Sequence, residues 1–287
     1  MRSGLLHRFV FYLRANKAVN VLLVAVYFLF ILFMHGHIVQ LYLSIENQIG
    51  MAVANVLVAC LFVAIAGGIG VAEFTHTRSN WPASKKPFVY LIATLLLIVL
   101  HSQFMFDSNI EVIHAMEFSL LSFLVFPMVN RFGFAILLTV PFMLIDEWYQ
   151  YILLYPEWNT FFEFNDILMD TYGCAALMCI LMLLGVRPGI VQPIWKRPEF
   201  YLIASAFILL LVLNYFGVIA NYAHQVGDNT MLVLNERTSP EPFWRWHPSR
   251  QVWYHAMSPP EALLAITVAL VFFMGIDGYG VSKPNAE

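Results

Sequence analysis

The chain reads as all-α: a polytopic transmembrane helix bundle of about eight spans with both termini cytoplasmic. Three observations carry that expectation. The 287 residues are 60% hydrophobic and only 11% charged, whereas a soluble domain carries about 25% charged residues. The apolar residues gather in long runs, and a bilayer-crossing helix needs about 20 of them. Lys and Arg, which are retained on the cytoplasmic side, fall mostly on alternate connections. A soluble enzyme, a disordered chain and a collagenous fibre are excluded, because so little charge cannot coat a water-facing surface. The net charge of −3, with basic residues scattered along the chain, gives no footprint for nucleic acid. The first partner implied is the lipid bilayer itself.

Taken in order, the spans fall at about 18–36, 50–72, 88–106, 111–129, 132–155, 166–186, 200–220 and 262–281. Their long apolar runs are unlike the alternating ten-residue strands of a membrane barrel. The first span reads as retained rather than as a signal peptide, since no small-residue cleavage pattern follows it in MHGHIVQLYL. No repeat divides the chain, so residues 1–287 form a single membrane domain. With the N-terminus inside, twelve Lys and Arg lie on inner connections. Only Arg237, Arg245 and Arg250 lie outside.

Two segments outside the spans have a character of their own. Residues 4–14 (GLLHRFVFYLR) mix aromatic and basic side chains. They read either as an amphipathic helix along the inner interface or as an extension of the first span. Residues 221–261 form the long extracytoplasmic loop, with Phe243, Trp244, Trp246, Trp253 and Tyr254 interleaved with Arg245, His247, Arg250 and His255. Aromatic rings and cations suit the headgroup layer, so the loop is expected to pack back on the membrane as an anchor or a lid. Cys60, Cys174 and Cys179 all lie in apolar stretches and read as packing residues. His101 and the pair His35 and His37 read as a core histidine and as interfacial residues.

Ionisable groups in hydrocarbon are expensive and mark function, and here they gather in spans four, five and six. Span four opens with Glu111, His114 and Glu117, span five carries Asp146, Glu147 and Gln150, and span six opens with Asp166 and Asp170. The antiparallel order of the spans brings all three groups to the same outer level. The i,i+3 and i,i+4 spacings place each pair on one helix face. Pro141 is expected to kink span five just below DEWYQ. The simplest arrangement is one outward-facing acidic and histidine cavity formed by His114, Glu117, Asp146, Glu147, Gln150, Asp166 and Asp170.

Four chemistries suit such a cluster. It can be an interhelical hydrogen-bond network with some carboxyls protonated. It can be a divalent-cation site, with His114, Glu117, Glu147, Asp166 and Asp170 as candidate ligands. It can be a binding or acid–base site for a lipid-linked headgroup, with Glu147 and Asp170 as the candidate catalytic carboxyls. A proton path is the fourth, disfavoured because the inner halves of these spans carry no ionisable residue to continue it.

The region 111–186 resembles the core of the VanZ-like membrane protein family, within a membrane core of about 88–186. The matching features are the His opening one span (His114), an acidic-x-x-Gln element in the next (Glu147 to Gln150), and a D-x3-[N/D]-x2-G element in the third (Asp166, Asp170, Gly173). Several positions depart from the family pattern. Phe118 stands where an aromatic hydroxyl is common, Glu111 where a basic residue is common, and Asp170 where Asn is usual. The link between Gln150 and Asp166 has Glu157 and Glu163 but no Arg. The site is thus more acidic than the pattern, which favours a cation. The resemblance implies a bacterial inner-membrane protein of the cell envelope and leaves open whether it is an enzyme. Two functions follow: engagement of a lipid or lipid-linked headgroup, or a non-catalytic subunit that docks a larger membrane complex.

Overall fold

The structure is a computed structural model that describes residues 5–54, 56–57, 60, 81–106, 109–154, 161–188, 194–236, 242–247 and 250–278. Its helices are α1 (Leu5–Ala15), α2 (Lys17–Ile49), α3 (Trp81–Phe104), α4 (His114–Val129), α5 (Phe132–Tyr149), α6 (Phe164–Leu183), α7 (Pro198–Tyr215) and α8 (Pro259–Met274). Among the described residues, six helical segments are long and apolar enough to cross a membrane, and the chain is a predominantly helical, multi-pass membrane protein. The expected second span, 50–72, lies for the most part outside the described residues. The expected seventh, α7, is apolar but has only 18 residues. That is about 27 Å of helix at 1.5 Å per residue, just short of a hydrocarbon core of about 30 Å.

The first span is much longer than the sequence suggests. Its 33 residues make about 50 Å of helix, because nothing in MHGHIVQLYL terminates it; only Gly50, at φ 84°, does so. One face of α2 is buried through Asn20, Val24, Ile31, His35 and Tyr42, a spacing of four and seven that keeps one stripe turned inward. Asn16, with φ −115° and ψ 69°, interrupts the helix between α1 and α2. The described part of this segment, within Leu5–Ala15, therefore belongs to a separate helix rather than to an extension of the first span.

The core is built around α6, in which 17 of 20 residues are buried. It lies against α3, α4, α5 and α8. Small residues make this central position workable. Gly173 faces the backbone of Ala115 so closely that a Cβ there would come within 2.6 Å of the Ala115 Cα, so α4 and α6 cross almost backbone to backbone. Gly133, at the start of α5, does the same against Met274 at the end of α8, at 2.7 Å. A buried clamp fixes that end of the bundle. The Arg197 guanidinium donates to Asp277 Oδ2 and to the Met274 carbonyl, both at 3.1 Å, while Gly133 N donates to Asp277 Oδ1 at 3.1 Å.

The loop between α7 and α8 packs back on the bundle at the other end. It holds two short pairings: Ile219–Ala220 runs parallel to Leu232–Val233, and Arg245–His247 runs antiparallel to Val252–Tyr254, with Trp246 opposite Trp253. Phe243, Trp244, Trp246 and Trp253 are exposed on this ribbon, whereas His255 is buried.

Candidate functional site

Each polar residue of the cluster is placed by an interruption in regular structure or by a close helix crossing. A 3-10 turn, Asn109–Ile113, leads directly into His114, the first residue of α4. Helix α5 ends with Asp146 and Glu147 in its last turn and passes into a π-turn at Gln150–Leu154, a widening common at functional sites. From there the Gln150 amide donates to Asp146 Oδ2 at 2.9 Å and to Glu147 Oε1 at 3.2 Å. Asp166 and Asp170 lie one turn apart on α6, and the Gly173–Ala115 crossing brings that face of α6 against the start of α4.

His114 is the hub. Its Nε2 stands 3.6 Å from Asp166 Oδ2 and its Nδ1 stands 3.6 Å from Asp170 Oδ1, one carboxylate on each side of the ring. One ligand atom each from His114, Glu147 and Asp166 lie within 4.8 Å of one another. Two ligands on a tetrahedral divalent ion are about 3.4 Å apart, given metal–ligand distances of about 2.0–2.2 Å. The donor set is thus of the right kind and near the right size for such an ion. Asp170, against the opposite nitrogen, occupies the position from which a carboxylate orients a metal-binding imidazole.

The electrostatics are one-sided. Asp146, Glu147, Gln150, Asp166, Asp170 and His114 are each no more than 5% exposed. Glu117 is half-buried, and its charge acts on His114, Asp146 and Asp166. No Lys or Arg occurs within α4, α5 or α6. Both oxygens of Asp170, Oδ1 of Asp146 and Oε2 of Glu117 are buried without a hydrogen-bond partner. A buried carboxylate set of this kind is compensated only by protons or by a cation.

The sequence suggests a cavity open to the outer leaflet; His114, Asp146, Glu147, Gln150, Asp166 and Asp170 are all buried side chains. The long loop is tied down beside this cluster by Asn165, immediately before Asp166. Its amide donates to the carbonyls of Met105 (2.7 Å) and His255 (2.9 Å), and its oxygen accepts from Met257 N at 3.1 Å. His255 N also donates to the Phe104 carbonyl at 2.8 Å. The long loop is therefore stitched to the ends of α3 and α6 beside Asp166.

His35 is the residue that sequence reasoning misplaces. It is 6% exposed, and its ring centroid lies 5.4 Å from that of His114, so it belongs to the site rather than to an interface; His37 is exposed. The buried stripe along α2, rather than the local HGH pattern, is the signal that would have found it. One turn-pair earlier on the same stripe, the Tyr27 hydroxyl donates to the Glu117 carbonyl at 3.2 Å. His101 packs edge-on against Phe106 and Tyr172, as a core histidine does. Cys174 and Cys179 are buried free thiols, and Cys60 is exposed. No protein-family model, no curated protein and no solved structure matches this chain.

Proposed function

We propose that this is a bacterial cell-envelope protein of VanZ-like type in the inner membrane. Both termini are cytoplasmic, and the acidic–histidine centre in the outer half of the bundle engages the headgroup of a lipid or lipid-linked substrate through a divalent cation. The observation that carries the reading is the convergence of His114, Glu147 and Asp166 ligand atoms within 4.8 Å, in a fully buried setting. Four or five carboxylates repel an anionic phosphate headgroup. A divalent cation held by Glu147, Asp166 and His114 would offset part of that charge and would supply a Lewis-acid contact for phosphate oxygens. Asp170 then positions the His114 ring, and Asp146 and Gln150 position Glu147. Access requires the Asn165-anchored loop to lift, which gives the loop the role of a lid.

The test is metal analysis of the purified full chain, together with Glu147→Gln and Asp166→Asn variants and mass spectrometry of co-purifying lipids. The expected result is about one divalent ion per wild-type chain, its loss from both variants, and a lower melting temperature of the wild type in chelator. A metal-free wild type whose melting temperature ignores chelator overturns the cation. A metal-loaded chain that retains no lipid or lipid-linked species overturns the headgroup reading.

The exposed Phe243, Trp244, Trp246 and Trp253 favour a second reading, a non-catalytic subunit whose ribbon docks a larger membrane complex. On that reading, Trp244→Ala with Trp246→Ala abolishes co-purification of a partner while Glu147→Gln leaves it intact.

A further inference from the structure

The acidic centre lies at one end of α6, and a basic cleft lies just past the other. Between α1 and the turn after α6 is a cavity of about 480 Å³ lined by His7, Arg8, Arg14 and Arg187, with Phe11 and Val186 as its apolar wall. Three guanidiniums and an imidazole thus converge, with no carboxylate among the described residues of the lining. Part of this arrangement is built. Arg14 is half-buried, its guanidinium lies 5.3 Å from the centre of the Phe126 ring, and its Nη2 donates to the Arg187 carbonyl at 3.3 Å. The Arg14 Nε is buried without a hydrogen-bond partner. Arg8 and Arg187 are exposed and flank it.

The rest of α1 explains what reaches this cleft. Val10 and Leu13 are buried against the bundle, and the Phe9 ring stacks on Phe123 at 5.9 Å. Leu5, Phe11 and Tyr12 are 86%, 72% and 51% exposed, far too apolar for water. A helix with basic and apolar side chains side by side lies in the plane of a membrane interface. There its cations meet lipid phosphates and its exposed rings enter the acyl region. The cavity falls within the range of small-ligand sites, about 300–1,000 Å³, and is ample for a phosphodiester headgroup. Basic pockets between helices on the cytoplasmic side bind such headgroups.

We infer that the cleft formed by Arg8, Arg14 and Arg187 is a binding site for the phosphodiester headgroup of an anionic phospholipid. Arg14 forms its floor, and Arg8 and Arg187 close on the phosphate from either side. The inference is independent of the carboxylate centre, which lies a 20-residue helix away.

The experiment is a lipid titration of the full-length protein in detergent, followed by native mass spectrometry, with phosphatidylglycerol and phosphatidylcholine as probes. Wild type is expected to prefer phosphatidylglycerol. The double variant Arg8→Gln, Arg187→Gln spares the half-buried Arg14, and its folding is checked by its unfolding temperature. It is expected to weaken phosphatidylglycerol binding by about thirtyfold, since each exposed cation near an anionic headgroup contributes about fivefold. Equal binding of the two lipids by wild type, or unchanged phosphatidylglycerol affinity in a folded double variant, overturns the site. A third arm adds inorganic phosphate. Displacement of the lipid at millimolar phosphate would assign the cleft to free phosphate and overturn the lipid assignment, whereas retention supports it.

Discussion

Gly173→Ala is the sharpest perturbation of the candidate site, because it alters no charge and removes no hydrogen bond. The added Cβ would stand 2.5 Å from the Ala115 carbonyl carbon and 2.6 Å from its Cα, where ordinary contact begins near 3.4 Å. The Ala115 carbonyl oxygen is closer still, and all three obstacles are backbone, so no rotamer change relieves the clash and α4 and α6 must part by more than about 0.9 Å. Separations of 3.6 Å between His114 and each of Asp166 and Asp170 then stretch past about 4.5 Å, beyond ion-pair range. Overpacking of this kind costs about 1–3 kcal/mol, and the parted interface adds lost dispersion contacts along both helices. Thermal unfolding in a fixed detergent, followed by tryptophan fluorescence, measures the loss. Gly227→Ala is the control: a Cβ there meets nothing within 4 Å, so its effect stays within about 0.5 kcal/mol. A Gly173→Ala protein that melts with the control and with wild type would falsify the backbone-to-backbone crossing, and with it the account of how His114 meets α6.

Much of this architecture is legible in the sequence because hydrocarbon punishes polar groups. His114, Asp146, Glu147, Asp166 and Asp170 stand out against apolar runs, and antiparallel connection alone brings them to one level. What the sequence does not display is whatever depends on contacts distant along the chain. Asn165 resembles any polar residue near a helix start, yet its three hydrogen bonds reach positions 60, 90 and 92 residues away. No periodicity announces such links, so a solvent-facing site is the natural expectation, whereas the carboxylates are buried. His35 is misjudged for a related reason. The local HGH pattern at an apparent helix end suggests an interface, but α2 runs on to Ile49 and keeps its stripe facing α4. Arg197 and Asp277 likewise look like terminal charges on two separate spans. Only the close packing allowed by Gly133 makes them a buried pair.

Three further outcomes follow from these contacts. Arg197→Gln leaves the fully buried Asp277 carboxylate without its guanidinium and costs about 3–5 kcal/mol; Arg197→Gln with Asp277→Asn recovers part of that in the same unfolding assay. His35→Ala removes a 94% buried ring beside His114, and lowers stability by about 2–4 kcal/mol through the cavity it leaves; His35→Phe, which keeps the ring volume, recovers most of the loss. The last outcome concerns closure of the site. Asn165→Ala strips the buried carbonyl of His255 and the N–H of Met257 of their partner, and also releases the Met105 carbonyl. Leaving such groups unsatisfied costs about 1–3 kcal/mol, and the cost falls on the closed arrangement alone, because a lifted loop hydrates the same groups. The closed-to-open equilibrium therefore shifts by about 5- to 150-fold. A water-soluble carbodiimide reports on it directly: modification of Glu147 and Asp166, read by peptide mass spectrometry, accelerates by that factor in Asn165→Ala. Asp228 is exposed and serves as the internal standard whose labelling stays constant. If Asn165→Ala lowers the melting temperature while Glu147 and Asp166 label at the wild-type rate, the loop is an anchor and the carboxylates are reached by another route.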